Sequence, residues 1–282
     1  MKHKLFQILM CFLFTTLLFS CKKEIEEVAQ PEPEVFAETT KEEGNKILSS
    51  LTASQKLQKI MWNASTTTPF AAFTYDNKGR LAKVVDVYGD ITTYTYKNTT
   101  VVIKRKKPGV AKALDSLAGK LNSKGYLYSL KGYRTMSFGG QTNVTTLSNS
   151  YTYNSAGQLT YISSTTSSNG ITTDVKYYIT WLNDNLTSIK TTMSNGYTST
   201  TINTYDAAKT DKRGVWLNDF FPFWTDNLLG VRTKNLLLKA VTTDSGGSTS
   251  QSTQTWTLNA EGYPASSTLG YGGFVANFTY IF

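Results

Sequence analysis

The chain has 282 residues, of which 40% are hydrophobic and 17% are charged. Its one histidine is His3 and its two cysteines are Cys11 and Cys21, so the chain beyond Cys21 has neither residue type. This excludes Ser-His-Asp and Cys-His nucleophiles, His- or Cys-ligated metal sites and an intramolecular disulfide in that part. We therefore expect no metal, no cofactor and no catalytic residue, with carboxylate pairs as the remaining route to an enzyme.

The formal net charge is +9, from 29 Lys and Arg against 20 Asp and Glu. Eight of the acidic residues are glutamates between positions 24 and 43, so the rest of the chain is distinctly basic. The basic residues form no helical stripe and no RNA-binding motif, so we expect a solvated surface and no nucleic-acid partner. The run Lys104–Lys107 is interpreted as a solvated strand end, with contact to a membrane headgroup or a polyanion as the alternative.

The N-terminus has the pattern of a targeting signal. Lys2 and Lys4 precede an apolar run from Leu5 to Phe19, which is short of the ~20 residues of a spanning helix. The stretch Leu18-Phe-Ser-Cys21 resembles the bacterial lipoprotein box, in which the cysteine is lipidated. We therefore expect a signal peptide over residues 1–20 and a membrane anchor at Cys21, with a plain secretory signal as the alternative.

Residues 21–45 are rich in Glu, contain Pro31 and Pro33, and lack apolar periodicity. This composition is typical of a disordered, extended tether. The segment after Cys21 resembles the acidic tether that directs some Bacteroidetes lipoproteins to the cell surface. The remaining residues, 46–282, are expected to form a single repeat-built β domain, with a short helix near Ile47 and a first strand over residues 57–62.

One stretch, Phe73-Thr-Tyr-Asp-Asn-Lys-Gly-Arg-Leu-Ala-Lys-Val84, recurs down the chain and predicts strand, turn, strand. An Asp or Asn starts the turn, and a glycine then supplies a left-handed backbone, except in a shortened copy that has Asn185 in place of the glycine. The copies cover residues 121–130, 151–162, 181–189 and 256–263, and the turn glycines are Gly79, Gly125, Gly157 and Gly262.

Each turn is followed by apolar residues spaced three apart, as in Leu81 with Val84 and Leu159 with Ile162. In a regular strand this spacing places the two side chains on opposite faces. Either the sheet is partly covered on both faces, or a bulge follows each turn.

Hairpin signals such as Asn169-Gly170 and Asn195-Gly196 connect successive strands into an antiparallel meander. A sheet of about fourteen strands is wide enough that it must curl or close. The predicted fold is therefore all-β, a curved open sheet or a barrel. Apolar residues cluster near the repeated turns, so we expect the core along that edge and the Thr- and Ser-rich hairpin ends in water.

Two segments depart from the meander. Val110 to Leu117 has helical spacing, although a strand is an alternative. Residues 206–235 hold no repeat, and we expect this insertion to plug an open end of the sheet, the alternative being a binding platform for sugars or a protein. Its aromatic residues are Trp216, Phe220, Phe221, Phe223 and Trp224.

The C-terminal strand offers a competing interpretation. Alternating Phe274, Phe278 and Phe282 resemble the last strand of an outer-membrane barrel. Such barrels need a lipid-facing apolar band on every strand. Residues 198–204 and 249–255 are polar on both faces, which argues against a membrane barrel.

The lipoprotein box, the acidic tether and the Tyr-Asp/Asn-x-x-Gly-x-Leu copies together resemble an uncharacterised family of Bacteroidetes lipoproteins with a porin-like fold. The turns also resemble the tyrosine–aspartate repeats of large Rhs-type shells. The family resemblance implies a porin-like β domain and supplies no catalytic residue. The expected function is a lipid-anchored outer-membrane lipoprotein that binds a glycan or an envelope protein or has a structural role. The alternatives are a carboxylate-based carbohydrate-active enzyme and an outer-membrane β-barrel.

Overall fold

The computed structural model describes residues 56–62, 67–138, 141–218, 221–226 and 228–282. Side chains are described except at 136–138, 141–142, 216–218 and 221–223. The described part contains strands and no helix, and therefore no helix that could cross a membrane. The strands are β1 (Lys59–Trp62), β2 (Pro69–Tyr75), β3 (Leu81–Asp86), β4 (Ile91–Lys97), β5 (Thr100–Lys106), β6 (Asp115–Leu121), β7 (Leu127–Phe138), β8 (Gln141–Tyr153), β9 (Leu159–Ser168), β10 (Ile171–Leu182), β11 (Asn185–Met193), β12 (Thr198–Thr210), β13 (Trp216–Asn218), β14 (Phe221–Thr225), β15 (Asn235–Asp244), β16 (Thr249–Leu258), β17 (Pro264–Tyr271) and β18 (Phe274–Ile281).

Sixteen of these strands form a closed antiparallel barrel. Each pairs with its sequence neighbours, except that β12 pairs with β15 and β1 closes the barrel against β18. The predicted all-β meander is confirmed, and the sheet closes rather than staying open. The remaining strands, β13 and β14, pair only with each other.

The described residues form eighteen strands, whereas the sequence predicts about fourteen. Part of the difference arises because no copy of the repeated turn connects β4 to β5 or β5 to β6. The connection between β4 and β5 is tight, with Asn98 in the left-handed region at a φ of 51°. The helix expected for Val110 to Leu117 is wrong, and the strand alternative is correct from Asp115 onward, because Leu117 lies in β6 and pairs with Ile103 and Gly132.

A β-bulge follows five of the turns and explains the three-residue apolar spacing. The strand register shifts where Tyr75 pairs with Leu81, and again at the start of β7, β9, β11 and β17. The extra residue lets both apolar side chains of a pair face the interior, so that Leu81 is fully buried and Val84 nearly so. Of the two explanations that the sequence left open, the bulge is correct.

The core lies at the end of the barrel that carries the repeated turns. In β9, Leu159 and Ile162 are buried, whereas Ser163 to Ser168 are half-buried on both faces. Solvent therefore reaches both sides of the barrel wall toward the other end. The polar hairpin ends and the apolar turn end agree with the predicted distribution.

Side chains alternate cleanly between the barrel interior and its outer face. In β10, Val175 and Ile179 are buried and Tyr178 is exposed. The aromatic face of β18 points inward, where Tyr280 stacks on Trp256 with ring centroids 5.7 Å apart. These aromatic residues therefore belong to the core and not to an outward apolar band.

The described residues between β12 and β15, 211–218, 221–226 and 228–234, close the turn end of the barrel. Asp226 accepts a hydrogen bond from the amide N–H of Leu81 at 2.7 Å. The carbonyl O of Leu228 accepts one from the amide of Leu127 at 2.8 Å, on the opposite part of the sheet. Val215, Leu228 and Leu229 are buried, so this insertion is fixed to several strands and fills the barrel end.

Candidate functional site

Two repeated turns lie side by side where β7 and β8 pair. In the first, Oδ1 of Asn122 accepts hydrogen bonds from the amide groups of Lys124 and Tyr126 at 3.0 Å each. In the second, Oδ1 of Asn154 accepts a hydrogen bond from the amide of Gln158 at 2.9 Å. This Asx geometry is what the Asp/Asn-x-x-Gly pattern predicts, and it holds the two turns in fixed positions.

The two turns and the adjoining strand ends enclose a cleft of about 320 Å³, which we call the tyrosine cleft. Aromatic rings, amides and one ammonium group surround it. It is lined by Asn122, Ser123, Lys124, Tyr126, Tyr128, Tyr151, Thr152, Tyr153, Asn154 and Gly157.

The base of the tyrosine cleft is rigid. The rings of Tyr126 and Tyr153 are 5.4 Å apart at 43°, and the Tyr153 hydroxyl donates to the carbonyl of Leu127 at 2.7 Å. Burial raises the pKa of both phenols above the ordinary value, so both remain protonated at neutral pH. Gly157 has a φ of 79°, and a Cβ there would lie 3.0 Å from the Tyr126 ring.

Tyr128 is the unusual residue of the cleft because it is the extra residue of the β7 bulge. Its side chain is 45% exposed on the outer face. The four other bulges have Ala82, Thr160, Thr187 and Ala265 at this position. Thr160 and Thr187 donate hydrogen bonds to carbonyls of the neighbouring strand. Only this bulge, of the five, therefore presents an aromatic ring to solvent.

The outer face beside the cleft holds two further tyrosines. Tyr161 and Tyr178 are cross-strand partners on β9 and β10, with ring centroids 5.3 Å apart. Tyr178 is 42% exposed. The outer face from β7 to β10 therefore offers aromatic surface continuous with the cleft.

The cleft residues suit binding better than acid–base chemistry. No carboxylate lines the cleft, and among the described residues no cluster of His, Cys, Asp or Glu could hold a metal ion. The ammonium of Lys124 is tied to the carbonyl of Ser155 at 3.0 Å. The site can supply ring faces, amide groups and a positive charge, all of which contribute to ligand binding without a reaction.

Elsewhere, carboxylates are held by arginines. Asp115 is fully buried and binds Arg105 at 2.8 Å, and Asp90 lies 3.6 Å from the same guanidinium. The amide of Thr135 also donates to Asp115 at 2.8 Å. These contacts connect β5, β6 and β7 to the residue that precedes β4.

The structure places some of the residues predicted from sequence. The turn glycines all have φ in the left-handed region: Gly79 at 75°, Gly125 at 81°, Gly157 at 79° and Gly262 at 76°. Cys21 and Phe220 lie outside the described residues, as do the signal peptide, the tether and the expected short helix near Ile47. The side chains of Trp216, Phe221 and Phe223 are likewise outside the description.

Trp224 is the described aromatic residue of the insertion. Its ring packs edge-on against Phe73, with centroids 5.2 Å apart, and against Phe70 at 6.3 Å. Its carbonyl accepts a hydrogen bond from the hydroxyl of Tyr94. Trp224 thus lies against the core and is not an exposed binding surface.

Comparison with known proteins rests on structure alone, since no model of a known protein family and no curated protein matches the chain. A porin-like protein from Bacteroides vulgatus ATCC 8482 superposes with a TM-score of 0.60 at 15% identity, covering 80% of this chain and 97% of that one. The fold is porin-like. A second porin-like protein, from Bacteroides uniformis ATCC 8492, gives a TM-score of 0.52 at 18% identity, covering 79% of this chain and 96% of its own. The superpositions establish the porin-like barrel. At identities this low they say nothing about a ligand.

Proposed function

We propose that this chain is a lipid-anchored lipoprotein of the outer membrane, whose porin-like barrel is a non-enzymatic module that binds a glycan at the tyrosine cleft. The exposed Tyr128 in the β7 bulge is the observation that carries the proposal. A tyrosine presents an apolar ring face and a polar hydroxyl together. Those are the groups needed to contact the C–H face and the hydroxyls of a sugar.

The position of Tyr128 supports a ligand role rather than a structural one. The other four bulges fold with alanine or threonine, so the bulge itself does not require an aromatic side chain. An exposed ring gains little from folding, because about half of its surface stays in water. Bulges are also a frequent means of directing a side chain toward a site.

The outer face of the barrel argues against a membrane-spanning barrel. Lysines face outward from strands around the barrel, among them Lys83 on β3, Lys120 on β6 and Lys190 on β11. A lysine facing lipid near the bilayer midplane costs about 2–4 kcal/mol. A barrel held near the membrane by a lipid at Cys21 does not incur this cost.

The first expected result concerns the cleft. Tyr128→Thr converts the bulge to the residue found at Thr160 and Thr187, so the fold should remain intact. Glycans that bind the wild-type fragment 46–282 on a glycan array should then lose most of their signal, because the ring is gone. The measurement is array binding together with a thermal melt.

A matched control is Tyr88→Thr, which removes a tyrosine that is 57% exposed in the β3–β4 connection, away from the cleft. It should leave glycan binding unchanged. Binding that survives Tyr128→Thr, or an array on which the wild type binds no glycan, would rule out the glycan site.

The second expected result concerns the anchor. Cys21→Ser should leave the protein without label in cells fed radioactive palmitate, because only the cysteine sulfur can accept the diacylglycerol. Ser20→Ala, which retains the thiol, should stay labelled. Label on the Cys21→Ser variant would refute the anchor without affecting the cleft.

A further inference from the structure

The outer face of β3 to β7 is strongly basic. Six exposed lysines project from it, and we refer to them as the lysine face: Lys83, Lys97, Lys104, Lys106, Lys120 and Lys131. Successive side chains of a strand point to opposite faces. On β5, Ile103 and Arg105 point into the barrel, and Lys104 between them points outward.

The lysine face has no opposing charge on its own strands. The acidic residues of β3–β7 are Asp86 and Asp115. Asp115 is fully buried and paired with Arg105. Asp86, at the end of β3, accepts hydrogen bonds from the amide groups of Tyr88 and Asp90. Among the described residues, none of the six lysines forms an ion pair within 4 Å.

The spacing of the lysines is regular. Lys83 and Lys104 both pair with Thr93, from opposite sides, and Lys97 and Lys120 both pair with Thr100. Each pair is thus two strands apart, which is about 10 Å at the normal strand separation. The surface therefore presents positive charges at repeating intervals with hydroxyls between them.

The lysine face is continuous with the tyrosine cleft. Lys120 pairs with Ser129, the residue next to Tyr128. Lys124, in the turn that follows β6, lines the cleft itself. A chain that lies on the Tyr128 ring can thus extend across β6 and β4 without leaving the basic surface.

We infer that the ligand is an anionic polysaccharide, which lies across the lysine face with one end in the tyrosine cleft. This inference rests on the proposed glycan-binding function and adds the charge and extent of the ligand. Carboxylate or sulfate groups on the sugars contact the lysines. A membrane surface fits less well, because the outward residues between the lysines include Thr93, Thr95 and Ser116, and the apolar ones, Val85, Ile91 and Val102, are half-buried rather than exposed.

The test uses polygalacturonic acid as the anionic probe and dextran as the neutral one, both measured by calorimetry on the 46–282 fragment and on the full lipidated chain. The variant Lys104→Gln/Lys120→Gln/Lys131→Gln removes three charges from the lysine face. We expect its Kd for polygalacturonic acid to rise about tenfold, because each exposed charge contact is individually weak. Added salt should weaken wild-type binding and affect the variant less.

The matched control is Lys176→Gln/Lys190→Gln/Lys239→Gln, which removes the same charge from the outer face of β10, β11 and β15. It should leave the Kd within about twofold of wild type, since exposed charges beyond a Debye length are screened. If both triple variants lose the same affinity for polygalacturonic acid, binding depends on net charge and not on the lysine face, and the inference is overturned. Lysine-dependent binding to vesicles of anionic phospholipid, without binding to polygalacturonic acid, would also overturn it.

The two proposals fail separately. If a neutral glycan binds through Tyr128 while polygalacturonic acid does not compete, the cleft function stands and the anionic ligand is wrong. If polygalacturonic acid binds through the lysines and Tyr128→Thr has no effect, the lysine face stands as a polyanion site and the cleft function is wrong.

Discussion

Trp224→Ala is expected to lower the free energy of unfolding by about 3–5 kcal/mol, the usual cost of truncating a large aromatic residue in a core. The ring of Trp224 contacts both Phe70 and Phe73 of β2. Its backbone carbonyl accepts the Tyr94 hydroxyl. Truncation leaves a cavity between the insertion and the first strands of the barrel, where Leu81 and Val84 are already fully packed. Urea unfolding followed by circular dichroism measures the loss.

Tyr178→Ala serves as the control for Trp224→Ala, since it removes an aromatic side chain that is 42% exposed on the outer face. Its unfolding midpoint should move much less. An unchanged midpoint for Trp224→Ala would show that the insertion does not stabilise the barrel, and would restore the alternative of a binding platform.

Asp211→Asn is expected to cost about 3–5 kcal/mol, because it removes the partner of a poorly solvated arginine. The side chain of Asp211 is 7% exposed and binds Arg213 through both carboxylate oxygens, at 3.0 and 2.7 Å. The Arg213 guanidinium also lies 4.7 Å from the Trp256 ring centroid. With asparagine at 211, the positive charges of Arg213 and Arg232 face each other with less compensation.

The same substitution should alter the pH dependence of stability. Burial alone would raise the pKa of Asp211, but the charge and hydrogen bonds of Arg213 outweigh it and hold that pKa below its ordinary value. A lowered folded-state pKa gives stability above the unfolded pKa of about 3.9, and this stability is lost as the pH falls through the folded-state value. In the Asp211→Asn variant, the part of the unfolding free energy that depends on ionised Asp211 should be absent at every pH.

Asp206→Asn is the control for Asp211→Asn, because Asp206 pairs with Lys209 at 3.0 Å on the surface. Urea midpoints at pH 7 and pH 3 compare the two variants. If both lose the same stability, the buried ion pair of the insertion has no special role.

The repeated turns made most of the fold predictable from the sequence. An Asx residue followed three positions later by a glycine specifies one backbone geometry, and the structure repeats it at Asp76, Asn122, Asn154 and Asn259. The hairpin ends use the same device: Gly89 follows Asp86 and Gly247 follows Asp244, each with positive φ. Local chemistry of this kind needs no knowledge of the rest of the chain.

Features set by long-range pairing were not predictable in the same way. The run Lys104–Lys107 was interpreted from the sequence as a strand end, but the tight connection at Asn98 contains no glycine, so the full extent of β5 and the inward direction of Arg105 were missed. Closure of the barrel depends on β1 meeting β18, which no local pattern specifies.

The tyrosine cleft was missed for a related reason. Tyr128 stands where the other copies of the repeat have Ala or Thr, and this difference is visible in the sequence. The sequence does not show that this tyrosine faces solvent, because the bulge is what turns the side chain outward. A difference between copies of a repeat becomes informative once the position is known to face solvent.

The pairing of β1 with β18 has a consequence for how the protein is made. The two strands that close the barrel are the first and the last to be synthesised, at Lys59–Trp62 and Phe274–Ile281. Hairpins such as β7–β8 can form as soon as they emerge, but closure must wait for the C-terminus and brings together residues of very large sequence separation. Until then β1 has an unpaired edge that other strands can join. A chain interrupted before β18 is therefore at greatest risk of aggregation.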